Sequence, residues 1–330
     1  MITKTPIAIL SFNRPHYLEQ TLRSLAAQST ESLTGREIHL FQDGMFNKLS
    51  RHTHATEKAV LSNIASFSAL FPSGYIHTQQ ENLGTALHYD FVERYLFESR
   101  GFEAAIFLED DMALSPLYLT VLDKMLSIAM TNESIGYVAA YGDWRATLNE
   151  QMLYLSKLVT MENKWGFALT KRQWLRQKPF VEEYLSIVSE TDYTMRDHDR
   201  INDWFISTGY LPAGTSQDGA KDVAMYASGA AKLMTFCCYG KYIGQQGVHC
   251  NEKLYESLGF AKTQLCRVHA DHFDWPSRAE ITRHVESRLR VLARNATLVK
   301  CVSFLGLGRF NRFQRARRAL VGKILRTERN

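Results

Sequence analysis

Three consecutive carboxylates, Glu109, Asp110 and Asp111, follow five apolar residues, Ala104–Leu108. Acids this close repel one another unless something positive sits among them. A hard divalent cation that also carries phosphate oxygens is the natural partner of such a set. A short apolar run bounded in this way reads as a buried strand of a parallel sheet. The acids then stand at the carboxyl edge of the sheet, where open α/β folds bind ligands. The plain alternative is an acidic turn into a helix, with Ala113–Pro116 as the turn, Ser115 as N-cap and Pro116 at N1.

The elements that must position these acids are legible in the first 110 or so residues. Strands are predicted at 7–12, 37–42, 75–78 and 104–108, with helices at 17–28, 53–71 and from 84 to about 97 between them. Four strand–helix alternations predict a doubly wound α/β architecture, a mostly parallel sheet flanked by helices. Further on, the pattern predicts a helix to about 130, a strand at 135–141, a strand at 165–170, a short helix at 171–177, a helix at 221–231 and a strand at 233–238. The polar segment 190–220 reads as a mobile loop. Helices are expected at 279–294 and 309–327.

Length and composition bound the classes. With 330 residues and 45% apolar content, the chain can bury a sizeable core. No run approaches the roughly 18 apolar residues of a transmembrane helix. Five cysteines without a CxxC pair argue against a disulfide frame or a zinc site and for a reducing, cytoplasmic compartment. The net charge is +5, yet Arg309–Arg329 holds seven arginines and one lysine against one glutamate, a balance of +7, so the remainder carries about −2. Phe310, Phe313, Leu320, Val321, Ile324 and Leu325 share one helical stripe of that tail. Arginines around an apolar stripe suit an anionic membrane surface, here the inner face of the cell membrane. No recognition motif and no basic body supports nucleic-acid binding.

In chain order, Pro6–Pro15 (PIAILSFNRP), Gln42-Asp43-Gly44, Asn82-Leu83-Gly84 and Glu109-Asp110-Asp111 resemble the nucleotide-sugar half of a GT-A glycosyltransferase. The Glu-Asp-Asp form is similar to that of N-acetylglucosaminyltransferase I. Ala139–Trp144, Trp165-Gly166, Lys221-Asp222 and Tyr242–His249 resemble later motifs, the last of them found in bacterial members that build surface polysaccharides. The resemblance covers roughly 5–260. It implies a GT-A (Rossmann-like) domain over 1–270, divided into a nucleotide-sugar half (1–115) and an irregular acceptor half (116–270), followed by a helical extension with the basic tail (271–330).

The activity so implied is inverting, metal-dependent transfer of a sugar from a nucleoside-diphosphate sugar to a saccharide or lipid-linked glycan. Asp111 is the expected ligand of Mn2+ or Mg2+, and a late histidine, His249, completes the sphere by resemblance. Phe12, Asn13 and Arg14 are expected along the nucleotide, Arg14 on phosphate or base. By resemblance Asp43 reads the imide N–H of uracil, which implies a UDP-sugar. Asn82 and Gly84 let backbone approach the nucleotide, though Asn82 also suits a helix N-cap. Asp110 is expected on the ribose and Glu109 on ribose or sugar hydroxyls. Trp144 and Trp165 form an acceptor platform or pack in the core. Asp197–Asp199 and His269–His272 read as solvated surface.

Inversion needs a base on the far side of the sugar from the diphosphate, so it must come from the second half. Asp143, Asp203, Asp218 and Asp222 are the candidates. Asp222 matches the family position and is expected to open a helix, with Asp203 next. A nucleotidyltransferase on a similar sheet and a non-catalytic glycan-binding protein are the rival readings.

Overall fold

The computed structural model describes residues 4–247 and 250–304. Its strands in chain order are β1 (Ile7–Ser11), β2 (Ile38–Gln42), β3 (Phe46–Asn47), β4 (His52–Thr53), β5 (Tyr75–Thr78), β6 (Ala104–Glu109), β7 (Met112–Leu114), β8 (Ile135–Ala139), β9 (Leu158–Thr160), β10 (Gly166–Thr170), β11 (Ala231–Thr235) and β12 (Gly240–Tyr242). Eight of them form one sheet in the order β5-β2-β1-β6-β10-β8-β11-β9. The first four are mutually parallel. β10 runs antiparallel between β6 and β8, β11 is parallel to β8, and β9 closes the edge antiparallel. This is the expected Rossmann-like α/β architecture.

β1, β6, β8, β10 and β11 are buried along their whole length or nearly so. Helices covering both faces require such continuous apolar strands. On one side β1 is followed outward by β2 and β5, on the other by β6. The strand order therefore reverses between β1 and β6, and their carboxyl ends open a crevice at the switch point. Phe12–Arg14 leaves β1 there and Glu109–Asp111 leaves β6.

Several elements depart from the pattern read in the sequence. Met112–Leu114 is a strand paired with Gly240–Tyr242, not a turn. Ser115 does not cap the next helix, which is Tyr118–Thr131 with Leu117 before it; its hydroxyl donates instead to the Cys266 carbonyl at 2.8 Å. The helix from Lys171 runs on to Val188 with Pro179 inside it. Residues 190–220 hold the turn Tyr193–Met195 and the helix His198–Ser207, started by the aspartate caps Asp192 and Asp197, and the first residues of a third helix. The helix expected at 221–231 starts four residues earlier, at Gln217, capped by Ser216. The helix Arg278–Phe304 buries Ile281, Val285, Leu292, Ala296 and Val299 against the body. The basic tail, with its stripe from Phe310 to Leu325, lies outside the described residues.

His88 lies on the helix Gly84–Arg94, buried, with its Nε2 unpartnered. Burial pushes its pKa down to about 3. The unfolded chain takes up that proton near pH 6.5, so stability is complete above 6.5 and falls as the pH drops toward 3, by about 1.4 kcal/mol per pH unit. His39, buried beside His77 and Arg100, is also pushed to about 3 and adds the same slope. His88→Gln should therefore lose less stability than wild type between pH 7 and 5 in urea unfolding. Equal losses would show that His88 is not a source of the acid sensitivity.

Candidate active site

The loop after β1 is pinned from behind. The Phe12 carbonyl accepts from Gln42 Nε2 at 2.7 Å and Asn63 Nδ2 at 3.0 Å. Asn13 is exposed, and its amide donates to the His54 carbonyl at 3.0 Å. Pro15 then opens the helix Pro15–Ala26, with Arg14 at its N-cap position. So fixed, Arg14 reaches across the crevice. Its guanidinium pairs with Asp110 and, at 2.6 Å, with Asp111 Oδ2. Burial opposes its charge, but Asp110 and Asp111 outweigh that and hold it above its ordinary range.

All three acids are shifted upward, chiefly because burial penalises their charge; Glu109 and Asp111 are raised further by the neighbouring acids. Asp111 is pushed to about 6 even with Arg14 beside it. Thr21 ties the turn to the first helix: its Oγ1 donates to the Asp110 carbonyl at 2.9 Å and accepts from Met112 N at 3.0 Å. Tyr89 donates to Glu109 Oε1 at 3.3 Å. The Asp111 carbonyl accepts from Ile243 N at 2.9 Å, joining the acids to the loop after β12.

Asp111 Oδ1 is buried without any hydrogen-bond partner. An unpaired carboxylate oxygen in the interior is costly, and a cation removes the cost. A Cβ on Gly244 would stand 2.4 Å from Asp111 Oδ2 and 2.5 Å from Tyr242 Oη. Glycine therefore keeps the space beside the carboxylate open. Among the described residues no three His, Cys, Asp or Glu side chains converge as a closed metal cage. A Mg2+- or Mn2+-type ion needs none, since such ions bind through one or two carboxylates and keep their other positions for water and substrate phosphates. The donor set fits a cation shared with a phosphate ligand, for which Asp111 Oδ1 is the free protein oxygen. His249 lies outside the described residues.

Asp43 is placed differently from the sequence expectation. Oδ1 accepts from Gly44 N at 2.8 Å and Leu83 N at 2.9 Å; Oδ2 accepts from Asn82 Nδ2 and Gly84 N, both at 3.0 Å. Four donors fill the carboxylate, leaving nothing to read a uracil N–H. Asp43 instead binds the Asp-Gly turn to the Asn82–Gly84 loop and faces the N-terminus of the helix Gly84–Arg94. Burial raises it to about 6 against those donors. The Asn82 amide is also spent, on Asp43 and the Gly44 carbonyl at 3.1 Å. Gly84 remains at the crevice with φ +68°, and a Cβ there would meet Tyr193 Cβ at 3.1 Å.

Tyr193 is carried by Asp192, which accepts from Ser50 Oγ, from His54 Nε2 at 2.6 Å, and from Thr194 N and Oγ1 at 2.9 and 3.0 Å. Burial opposes its charge, but these donors hold it well below the usual carboxylate range. The contacts tie the turn at Tyr193 to the segment holding Ser50 and His54. Asp192→Ala should cost about 2–3 kcal/mol, since it removes a buried carboxylate that accepts from Ser50, His54 and Thr194. A loss under about 0.5 kcal/mol in denaturant unfolding would mean the tether carries no stability.

Asp222 is not where the sequence reading put it. It lies in the second turn of the helix Gln217–Ala227, away from the N-terminus. Lys164 Nζ donates to its Oδ1 at 2.5 Å and Lys232 Nζ to its Oδ2 at 2.6 Å. Burial opposes its charge, but the two lysines hold its pKa down. A carboxylate clamped this way is a weak base. Lys221 is turned away, paired with Glu93 at 2.6 Å in a fully buried bridge. Asp218 stands at the N-terminus of the same helix, half-buried, with no salt bridge among the described residues. Its charge is felt at Glu109, Tyr89, Tyr193 and Lys164.

Trp165 stacks on Tyr242 at 4.5 Å and 15° beside the acids, and its carbonyl accepts from Glu109 N at 2.8 Å. Trp144 is buried beneath it, donating to the Leu258 carbonyl at 3.0 Å. The stacked ring pair beside the acids is therefore Trp165 with Tyr242, not Trp165 with Trp144. Asp197 caps its helix, His198 bonds Thr215 at 2.6 Å, and His269 lies 3.1 Å from Lys124, so neither polar cluster joins the site. Tyr89, Tyr193 and Tyr242 lie against the acids; sequence reasoning passed over the first two, and Tyr242 entered only as the first residue of the Tyr242–His249 motif.

No family model and no curated sequence matches the chain. Solved structures give similar backbones at low identity. The mannosyltransferase PcManGT from Pyrobaculum calidifontis, in complex with GDP-Man and Mn2+, is 13% identical with a TM-score of 0.45, over 97% of this chain and 80% of that one. TarS 1-349 of S. aureus is 11% identical with a TM-score of 0.41, over 88% and 73%. Glucosyl-3-phosphoglycerate synthase from Mycobacterium tuberculosis, in complex with Mn2+, uridine-diphosphate and phosphoglyceric acid, is 14% identical with a TM-score of 0.31, over 52% and 57%. The chain is similar to these structures in the course of its backbone, and the reading of its site rests on its own side chains.

Proposed function

We propose that the chain is an inverting glycosyltransferase that moves a sugar from a nucleoside-diphosphate sugar to a hydroxyl of a saccharide or lipid-linked glycan, with Mn2+ or Mg2+. One observation carries the reading: Asp111 presents an unpartnered, buried oxygen at the sheet's switch point, beside an arginine able to take phosphate. Phe12, Asn13 and Gly84 line the nucleotide crevice, while Asp43 and Asn82 hold its loop in shape. Asp43 is spent on its own loop and reads no uracil N–H.

In this reading Arg14 binds the diphosphate as a planar fork. Asp110 faces the ribose, and Glu109, with Tyr89 behind it, faces the sugar hydroxyls. A cation on Asp111 would neutralise charge developing on the departing diphosphate. The acceptor rests on Trp165 and Tyr242. Asp218 takes the proton from its hydroxyl as the new bond forms.

Calorimetry with UDP and GDP, with and without Mn2+, tests the reading. Binding of a nucleoside diphosphate that depends on the cation, and release of that diphosphate when the matching sugar donor turns over, is the expected result. Release of pyrophosphate would support the nucleotidyltransferase reading, and failure to bind any nucleotide would support a non-catalytic protein. The sequence of the tail further supports contact with anionic lipid, each basic group near such a surface being worth about 1 kcal/mol. A chain ended near Ser303 should lose binding to anionic vesicles and keep activity on a soluble acceptor; equal vesicle binding by both forms would refute this. Among the described residues no helix is long and apolar enough to cross a membrane.

A further inference from the structure

The acid cluster already holds a cation, and it belongs to the chain. Arg14 spans Asp110 and Asp111, with 27% of its side chain exposed against 5% and 2% for theirs. It takes Asp111 Oδ2 and leaves Oδ1 empty. A divalent ion arriving at Oδ1 would share one carboxylate with a guanidinium, and the two like charges would repel across it. A diphosphate changes that balance. It brings negative charge for both cations, and its oxygens match the guanidinium fork that the acids now occupy.

Resting on the reading of the site as a diphosphate and cation site, we propose that Arg14 makes cation binding conditional on the nucleotide. In the free protein it competes with the ion for Asp111. When a nucleoside diphosphate binds, Arg14 passes to the phosphate and releases Asp111. The geometry permits such a transfer. The Arg14 backbone is anchored between β1 and Pro15, so the side chain alone need move. A Cβ on Gly247 would lie 3.4 Å from Arg14 Nη1 and nothing else would meet it within 4 Å, so the facing loop bounds the guanidinium with a glycine. Linkage makes the effect reciprocal: the cation must tighten the nucleotide by the same factor as the nucleotide tightens the cation.

Titration of Mn2+, followed by the electron-spin resonance of the free ion, tests this without any turnover. Wild-type protein should bind Mn2+ weakly alone and at least about tenfold more tightly with a saturating nucleoside diphosphate. Arg14→Gln should bind Mn2+ alone about tenfold more tightly than wild type, and the factor by which the diphosphate tightens Mn2+ should be correspondingly smaller than in wild type. Arg14→Lys keeps one charge without the fork and should fall between them; melting curves confirm that each variant is folded. If Arg14→Gln binds Mn2+ alone no better than wild type, the competition is refuted while the proposed function stands. If wild type binds no Mn2+ even with diphosphate, the proposed function fails and this inference with it.

Discussion

Asp218→Asn should bind the donor as wild type does and turn over at least about 10²-fold more slowly, the usual contribution of a positioned base. The argument separates two aspartates four residues apart on one helix. Asp222 has both oxygens filled by buried lysines and its proton affinity lowered by them. To accept a proton it would have to leave Lys164 and Lys232 buried without a counter-charge. Asp218 has no such partner among the described residues, is partly open to solvent, and stands at the N-terminal end of the helix. The two variants should therefore fail in different ways. Asp222→Asn should lose about 3–5 kcal/mol of stability, the cost of breaking a buried pair, with turnover per folded molecule largely kept. Asp218→Asn should melt close to wild type and lose rate. Normal turnover by folded Asp218→Asn would remove it as the base. A rate collapse in Asp222→Asn without loss of stability would return the role to Asp222.

The first 110 or so residues could be read from sequence because their signals are local. Ala104–Leu108 is apolar on both faces, so its strand and the edge position of the acids follow from one short run. The alternation before it fixes the parallel arrangement. What could not be read depends on residues far apart. Ala113–Pro116 looks like a turn because the three-residue strand Met112–Leu114 that overlaps it has no period to recognise; its partner Gly240–Tyr242 lies far along the chain. Asp43 offered the same Asp-Gly signal whether it faces a ligand or the Asn82–Gly84 loop. Only the fold shows its four donors. Residues 190–220 are polar enough to read as loop, although Asp192, Asp197 and Ser216 each begin a helical turn. Cap residues outweighed composition there. Asp222 was misplaced because the helix start was set at Lys221 rather than at the Ser216 cap, which moved the N-terminus from Asp218 to Asp222.

Asp111→Asn should abolish turnover while leaving the protein folded, and the second half of that expectation is what makes the first informative. A buried charged residue usually cannot be neutralised without cost, since its partner is stranded. Here Arg14 is shared, and Asp110 retains it. Asparagine also removes one of three mutually repelling acids whose burial already penalises their charge. These effects oppose one another, so stability should stay within about 1 kcal/mol of wild type. The chemistry has no such compensation. An amide oxygen carries no net charge to hold the cation against the leaving diphosphate, and losing several kcal/mol of charge stabilisation corresponds to about 10³-fold or more in rate. Melting temperature, Mn2+ titration and steady-state turnover should be read on the same preparation. An unchanged melt with Mn2+ affinity and turnover both lost is the expected pattern. Near wild-type turnover of Asp111→Asn in excess Mn2+, or a wild-type enzyme indifferent to EDTA, would show that the carboxylate does not hold a catalytic cation and that Arg14 alone neutralises the site.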